Sequence, residues 1–363
     1  MERNTDTLYI VRFVAALVVI LFHYSPPGVG EHIGFIIKNG GEAVNLFFFI
    51  SGFVLTVSNS RFFTSGQATF PLKTFYIKRV ARIYPLYLLA IFLLLFFHFV
   101  IKRIDTATVL MRMPFEMAGI QRWLYAGSFN YPGWSVSCEV FFYLLFPLLA
   151  YYLRRNARGF GILVWVYFIV SLLITQQLAG LLKSPLTGIA SKIVGGIYLN
   201  PILLISVFMF GMLAGQYFLK SDRPFFKTKA LNIVAFLASS AIILAAKYYL
   251  PHGSWLLKGG VLAPAYFIFI MAITGFSKAE TKVFSSKPFL FLGEASYAMY
   301  ILQYPVYVFY TRYIIEVKTA PALAGLVLAI IVLASLAHLL VEKPVRDAIV
   351  ARYKRPDLVK ERE

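Results

Sequence analysis

Residues 8–24 read LYIVRFVAALVVILFHY. An apolar run of this length is close to the ~20 residues that cross a bilayer as a helix. It also carries two residues that hydrocarbon does not tolerate, Arg12 and His23. An ionisable side chain at membrane depth is costly, and for that reason it points to function. The eleven-residue step turns a helix through about 1100°, only ~20° past three full turns, so both side chains share one face roughly 16 Å apart. One helix face therefore offers a permanent cation at one depth and a titratable base at another.

The rest of the 363 residues extend that reading. The chain is 60% hydrophobic and 17% aromatic but only 14% charged, and its mean hydropathy of +0.74 excludes an ordinary soluble domain. Apolar runs long enough to span a bilayer lie near 8–24, 44–58, 83–101, 134–153, 160–180, 196–219, 230–250, 260–276, 293–311 and 320–341. The expected fold is all-α, a polytopic membrane bundle of about ten transmembrane helices. The second run is short, and Asn45, Ser51 and Gly52 within it suggest a broken or re-entrant helix.

Lysine and arginine accumulate in short cytoplasmic loops. Placing both termini in the cytoplasm puts most of the 35 basic residues there, including Arg61, Lys73, Lys78, Arg79, Arg82, Arg154, Arg155, Arg158, Lys220, Arg223, Lys227, Lys229 and the tail from Lys343 to Arg362. The net charge of +19 then reflects this bias and attraction to anionic membrane lipid, and no nucleic-acid partner is expected. The segment 102–131 departs from the rule, because it should lie outside yet holds Lys102, Arg103, Arg112 and Arg122. A long loop of this kind suits a lid or an acceptor-binding element.

The single cysteine, Cys138, excludes an internal disulfide, and no metal-ligand or phosphate-loop pattern occurs. No metal is expected. Residues 1–350 read as one transmembrane domain and 351–363 as a basic cytoplasmic tail too short to fold alone, with no fused soluble domain. The chemistry is therefore expected in the membrane body.

Polar residues within the spans narrow the candidates. Asn45 and Ser51 are expected to line a cavity, whereas Gly52 suits either close helix packing or a special backbone. Arg79 and Arg82 stand three apart on one helical face at the start of the third run. They suit membrane anchoring or, because guanidinium forks bind phosphate bidentately, a phosphate clamp. Glu139 is the only acid in its span and must be paired or protonated. Its partner is either a buried arginine or His23, which it would orient as a general base; Ser135 lies one turn away on the same face. Ser296, Tyr300 and Gln303 share another face, and His338 with Glu342 reads as a satisfied helix end. His32, His98 and His252 lack acidic neighbours and are expected to be structural or solvated.

Together these residues resemble the acyltransferase-3 membrane O-acyltransferases over nearly the whole chain. The resemblance is carried by Arg12 and His23 at their spacing, by the aromatic run into Ser51-Gly52-Phe53 and by Lys78-Arg79-Val80-Ala81-Arg82-Ile83-Tyr84-Pro85. It is carried further by Trp134-Ser135 with Glu139 and Phe142-Tyr143, by Ser296-Tyr297 with Tyr300, and by Glu342-Lys343-Pro344. The chain departs from the family at Gln303, where a histidine is usual, and at Leu204 and Val207, where an arginine and a glutamate are usual.

The resemblance implies transfer of an acyl group, usually acetyl from acetyl-CoA, to a hydroxyl of a cell-surface carbohydrate such as lipopolysaccharide O-antigen or exopolysaccharide, of a glycolipid, or of a small molecule. It places the protein in a bacterial inner membrane. Lys78, Arg79 and Arg82 would then bind the anionic donor at the cytoplasmic mouth, with Arg12 steadying its charge above. His23, supported by Glu139, would act at the far end as general base or through an acyl-imidazole. Asn45, Ser51, Trp134, Ser135, Tyr300 and Gln303 would contact substrate. A secondary transporter or an inactive partner subunit are the competing readings.

Overall fold

The computed structural model describes residues 5–29, 34–64, 69–101, 106–124, 127–183, 188–198, 200–220 and 225–360. His32, Lys102, Arg103, Arg223 and Arg362 lie outside them. Among the described residues every regular element is helical. In chain order these are α1 (Thr7–Tyr24), α2 (Gly34–Lys38), a 3-10 turn (Gly40–Glu42), α3 (Ala43–Ser58), α4 (Ser60–Thr64), α5 (Leu72–Ile101), α6 (Thr106–Ala118), α7 (Gln121–Leu124), α8 (Gly133–Arg155) and α9 (Ala157–Leu181). They continue as α10 (Gly188–Ile197), α11 (Pro201–Lys220), α12 (Lys229–Tyr249), α13 (Trp255–Lys258), α14 (Ala263–Ile273), α15 (Lys287–Tyr313), α16 (Ala320–Ala337), a π-helical turn (His338–Glu342) and α17 (Lys343–Lys360).

The protein is an all-α polytopic membrane protein. Each of the ten apolar runs of the sequence contains helix, but among the described residues eight helical segments are long and apolar enough to cross a membrane. The other two differ for separate reasons. Helix α14 has only 11 residues, and α15, with 27, carries Glu294, Gln303 and a series of tyrosines that lower its hydropathy. The last helix runs through Val350 without a break.

The second span corrects an expectation. It is a continuous 16-residue helix rather than a broken one. Gly52 serves packing: a Cβ there would run into the Phe208 carbonyl of α11, and one on Gly211 would run into the Phe49 carbonyl of α3. The two backbones touch because neither residue has a side chain, the arrangement by which small residues join membrane helices. Thr56 Oγ1 closes the turn onto the Gly52 carbonyl at 2.9 Å.

Two apolar clusters organise the interior. One is built around α3, α8, α9, α11 and α14, with Phe48, Phe49, Phe142, Phe146 and Phe208 at its centre. The other gathers α1, α5, α15 and α16 around Ile20, Leu86, Met299 and Leu326. Prolines inside the helices shape the boundary. Pro305 in α15 has no N–H for the carbonyl of Ile301 one turn back; Asn130 Nδ2 donates to that carbonyl instead, at 3.0 Å. Arg12, Ser51, Arg79, Arg82, Ser135 and Glu139 collect along the seam between the two clusters.

Candidate functional site

Two hollows lie along that seam. The first is lined by Arg12 of α1, Ser51 of α3, Arg79 and Arg82 of α5, Ser135, Glu139 and Tyr143 of α8, and Tyr297 and Tyr300 of α15. The second is lined by His23 at the end of α1, Asn45 of α3, Trp134 at the start of α8, and by Tyr131, His252 and Lys258. Val44 borders both. Between them stand two aromatic pairs, Phe47 with Tyr300 at 5.8 Å and Phe48 with Trp134 at 6.1 Å between ring centroids. The helical spacing of Arg12 and His23 is thus realised as two chambers on one helix.

In the first chamber three guanidinium groups face two carboxylates. Tyr143 is its hub: its hydroxyl donates to Glu139 Oε2 at 3.2 Å, lies 3.3 Å from Ser51 Oγ, and its ring sits 6.0 Å from the Arg79 guanidinium. Arg82 Nη1 is 3.6 Å from Glu342 Oε1, whose other oxygen lies 2.8 Å from His338 Nδ1. The helix-end pair His338–Glu342 therefore reaches the site by neutralising Arg82. Arg79 Nε is buried without a hydrogen-bond partner among the described residues, and an unmet buried donor beside an excess of positive charge fits an anionic ligand. The cavity itself measures about 100 Å³. That is room for the slender end of a donor but not for a nucleotide, which would have to lie at its mouth.

In the second chamber the His23 ring is fixed by an amide. Gln303 Nε2 donates to the Tyr300 carbonyl at 2.7 Å, which turns Gln303 Oε1 toward His23 Nδ1 at 3.0 Å. An amide oxygen only accepts, so Nδ1 carries the hydrogen and, in the neutral ring, Nε2 keeps its lone pair. Tyr131 packs edge-on against the imidazole with ring centroids 4.9 Å apart, and Phe22 lies tilted beside it at 5.0 Å.

This geometry changes the role expected for Glu139. The structure does not bring it to His23: each has its own partner, in a different chamber. The reason is depth. Six residues of helix set Glu139 about 9 Å inward from the start of α8, whereas His23 is one residue from the end of α1. Glu139 lines the hollow of the three arginines, where its hydrogen-bond partner is Tyr143.

The remaining candidates divide. Ser135 and Tyr300 both donate to the Pro132 carbonyl, at 3.1 and 3.2 Å. Asn45 spends its amide on the Leu257 carbonyl at 2.9 Å and so fastens α13 while bordering the second chamber. Lys78 is exposed and lines neither hollow. Leu204 and Val207 are fully packed in the first core cluster. His252, expected to be structural or solvated, stands at the second chamber with Nδ1 2.6 Å from the Lys38 carbonyl.

The segment before α8 is ordered by Glu116. Its carboxyl oxygens accept from Phe129 N–H at 2.6 Å and from Ser128 Oγ at 2.8 Å, and so hold the turn that delivers Tyr131 to His23. Burial pushes this carboxyl up to about 7, against those two hydrogen bonds and the nearby Arg112.

The family model described as "Acyltransferase domain" matches residues 7–339. Acyltransferase MdmB of Streptomyces mycarofaciens is 32% identical over 150 residues, covering 38% of this chain and 37% of its own. O-acetyltransferase OatA of Staphylococcus aureus strain NCTC 8325 is 24% identical over 325 residues, covering 84% of this chain and 51% of its own. The chain spans about half the length of OatA and a smaller share of MdmB. No solved structure matches it significantly.

Proposed function

The chain belongs to the acyltransferase-3 family, and from that premise we propose that it is a membrane O-acyltransferase moving an acetyl group from cytoplasmic acetyl-CoA to a hydroxyl of a cell-surface carbohydrate. The observation that carries this reading is the pairing of an arginine chamber with a separate histidine chamber on one helix, at the two depths a donor and an acceptor on opposite sides of a bilayer would need. The names of the relatives MdmB and OatA support acyl and acetyl transfer. The excess of Lys and Arg on one side supports a cytoplasmic N-terminus and a cytoplasmic C-terminus, and the bacterial sources of MdmB and OatA support a bacterial cell membrane.

On this reading Arg79 and Arg82 hold the donor's phosphates at the mouth and Arg12 offsets negative charge deeper in the path. Acetyl-CoA supplies a thioester. Its arm passes between the Phe47–Tyr300 and Phe48–Trp134 pairs toward His23. Nε2 of His23 removes the proton from the acceptor hydroxyl as its oxygen attacks the thioester carbonyl, and the C–S bond breaks to release CoA. Gln303 keeps the imidazole in the tautomer that can do this.

The test is direct. Purified protein given acetyl-CoA and a panel of glycans should release free CoA with matching acetylation of one glycan by mass spectrometry. Arg79→Ala should raise the donor KM by about 10- to 100-fold, the equivalent of losing one charged phosphate contact. Absence of acetyl transfer, or a donor dependence unmoved by Arg79→Ala, would overturn the assignment.

A further inference from the structure

Two lysines stand at the rim of the His23 chamber, Lys38 at the end of α2 and Lys258 at the end of α13. In the proposed orientation this is the outer face, where short segments are normally depleted of lysine. Their backbones are pinned. His252 Nδ1 lies 2.6 Å from the Lys38 carbonyl, and Asn45 Nδ2 donates to the carbonyls of Leu257 and Lys258 at 2.9 and 3.3 Å. Both side chains are exposed at the chamber.

Among the described residues the chamber does not balance this charge from within. Among its described lining residues the one carboxylate is Glu42, and Lys247 Nζ already holds it at 2.9 Å. No ion pair to Lys38 or Lys258 occurs among the described residues. Arg112 adds a third cation in the hollow across Tyr131, but it faces Glu116, so the two lysines carry the argument. Phe22, Tyr131 and Trp134 supply apolar faces of the kind that line small-molecule sites.

We infer that the acceptor is an anionic carbohydrate, its carboxylate or phosphate held by Lys38 and Lys258 while a hydroxyl faces His23. This rests on the reading of the His23 chamber as the acceptor side. Binding separates the two questions because it needs no turnover. Isothermal titration of the full chain in lipid nanodiscs with methyl glucuronide, glucose 1-phosphate and methyl glucoside should show at least one acid binding tighter than the neutral glycoside. The preference should be about tenfold for each lysine engaged. Which acid wins distinguishes carboxylate from phosphate. The preference should shrink at high salt, vanish in the Lys38→Met, Lys258→Met double variant at unchanged melting temperature, and return with arginine at both positions. Equal binding of acid and neutral probes, no binding by either acid, or a preference that survives the double variant would overturn the inference. Acid-selective binding with no acetyl transfer to any glycan would uphold it and reject the transferase reading instead.

Discussion

The arginine chamber and the histidine chamber are both lined from α1, α3 and α8 but differ in character. The first is ionic, with Arg12, Arg79 and Arg82 set against Glu139 and Glu342. The second keeps its central residue on a neutral amide within an aromatic wall. Placing a carboxylate beside the histidine would favour its charged form; an amide fixes the tautomer without adding charge. The contrast shows how one membrane body can hold an anion at one level and move a proton at another, with the two tasks kept electrostatically apart.

The strongest way to break the comparison is His23→Ala, which should lower transfer by about 10²- to 10⁴-fold while donor binding and melting temperature stay near wild type. A substantial residual rate in a well-folded variant would remove proton chemistry from the second chamber. Glu139→Gln probes the first chamber. With its carboxylate gone, three half-buried guanidinium groups face only Glu342, and the fold should lose on the order of 1 kcal/mol, read as a lower melting temperature. If the variant melts normally and its acetyl transfer changes only in pH dependence, Glu139 acts on His23 after all.

Gln303→Leu sharpens the comparison from the other side. It frees Nδ1 and should cut kcat about tenfold with the donor KM unchanged, since the two tautomers then compete. A change in donor KM alone would mean that the chambers are coupled through Tyr300. The smallest effect concerns Glu116, whose carboxyl is raised to about 7 by burial. A raised acid binds its proton more tightly when folded, so its stabilising contribution is complete below its unfolded value and is lost as pH rises through about 7. The protein should melt a few degrees lower at pH 8 than at pH 5, and Glu116→Gln should flatten that difference; a slope unchanged in the variant would assign the effect to another group.

The helices were legible because apolar runs of membrane length leave few alternatives. Arg12, Arg79 and Arg82 were legible as a set because charge within such runs is conspicuous. The partner of Glu139 was not, since the pairing depends on how far α8 and α1 are shifted along one another, and no spacing within either helix encodes that. The continuity of α3 was hidden for a related reason: Asn45, Ser51 and Gly52 look like breaks until α13, Tyr143 and α11 are seen to receive them. Tyr143 and Glu342 were present as motif residues, but their meeting with Arg79 and Arg82 requires the seam between two clusters.

The glycine contact between α3 and α11 has a mechanical consequence. Where two backbones touch at Gly52 and Gly211, no side chain is left to rotate or compress, so the pair resists sliding and behaves as a single stiff beam. One wall of both chambers is attached to that beam through α3. Any widening of the passage between them must come from the facing helices α1, α8 and α15, or from the rings of Phe47 and Phe48 swinging on a backbone that stays still. The beam sets the gauge of the passage, and the moving parts are confined to one side of it.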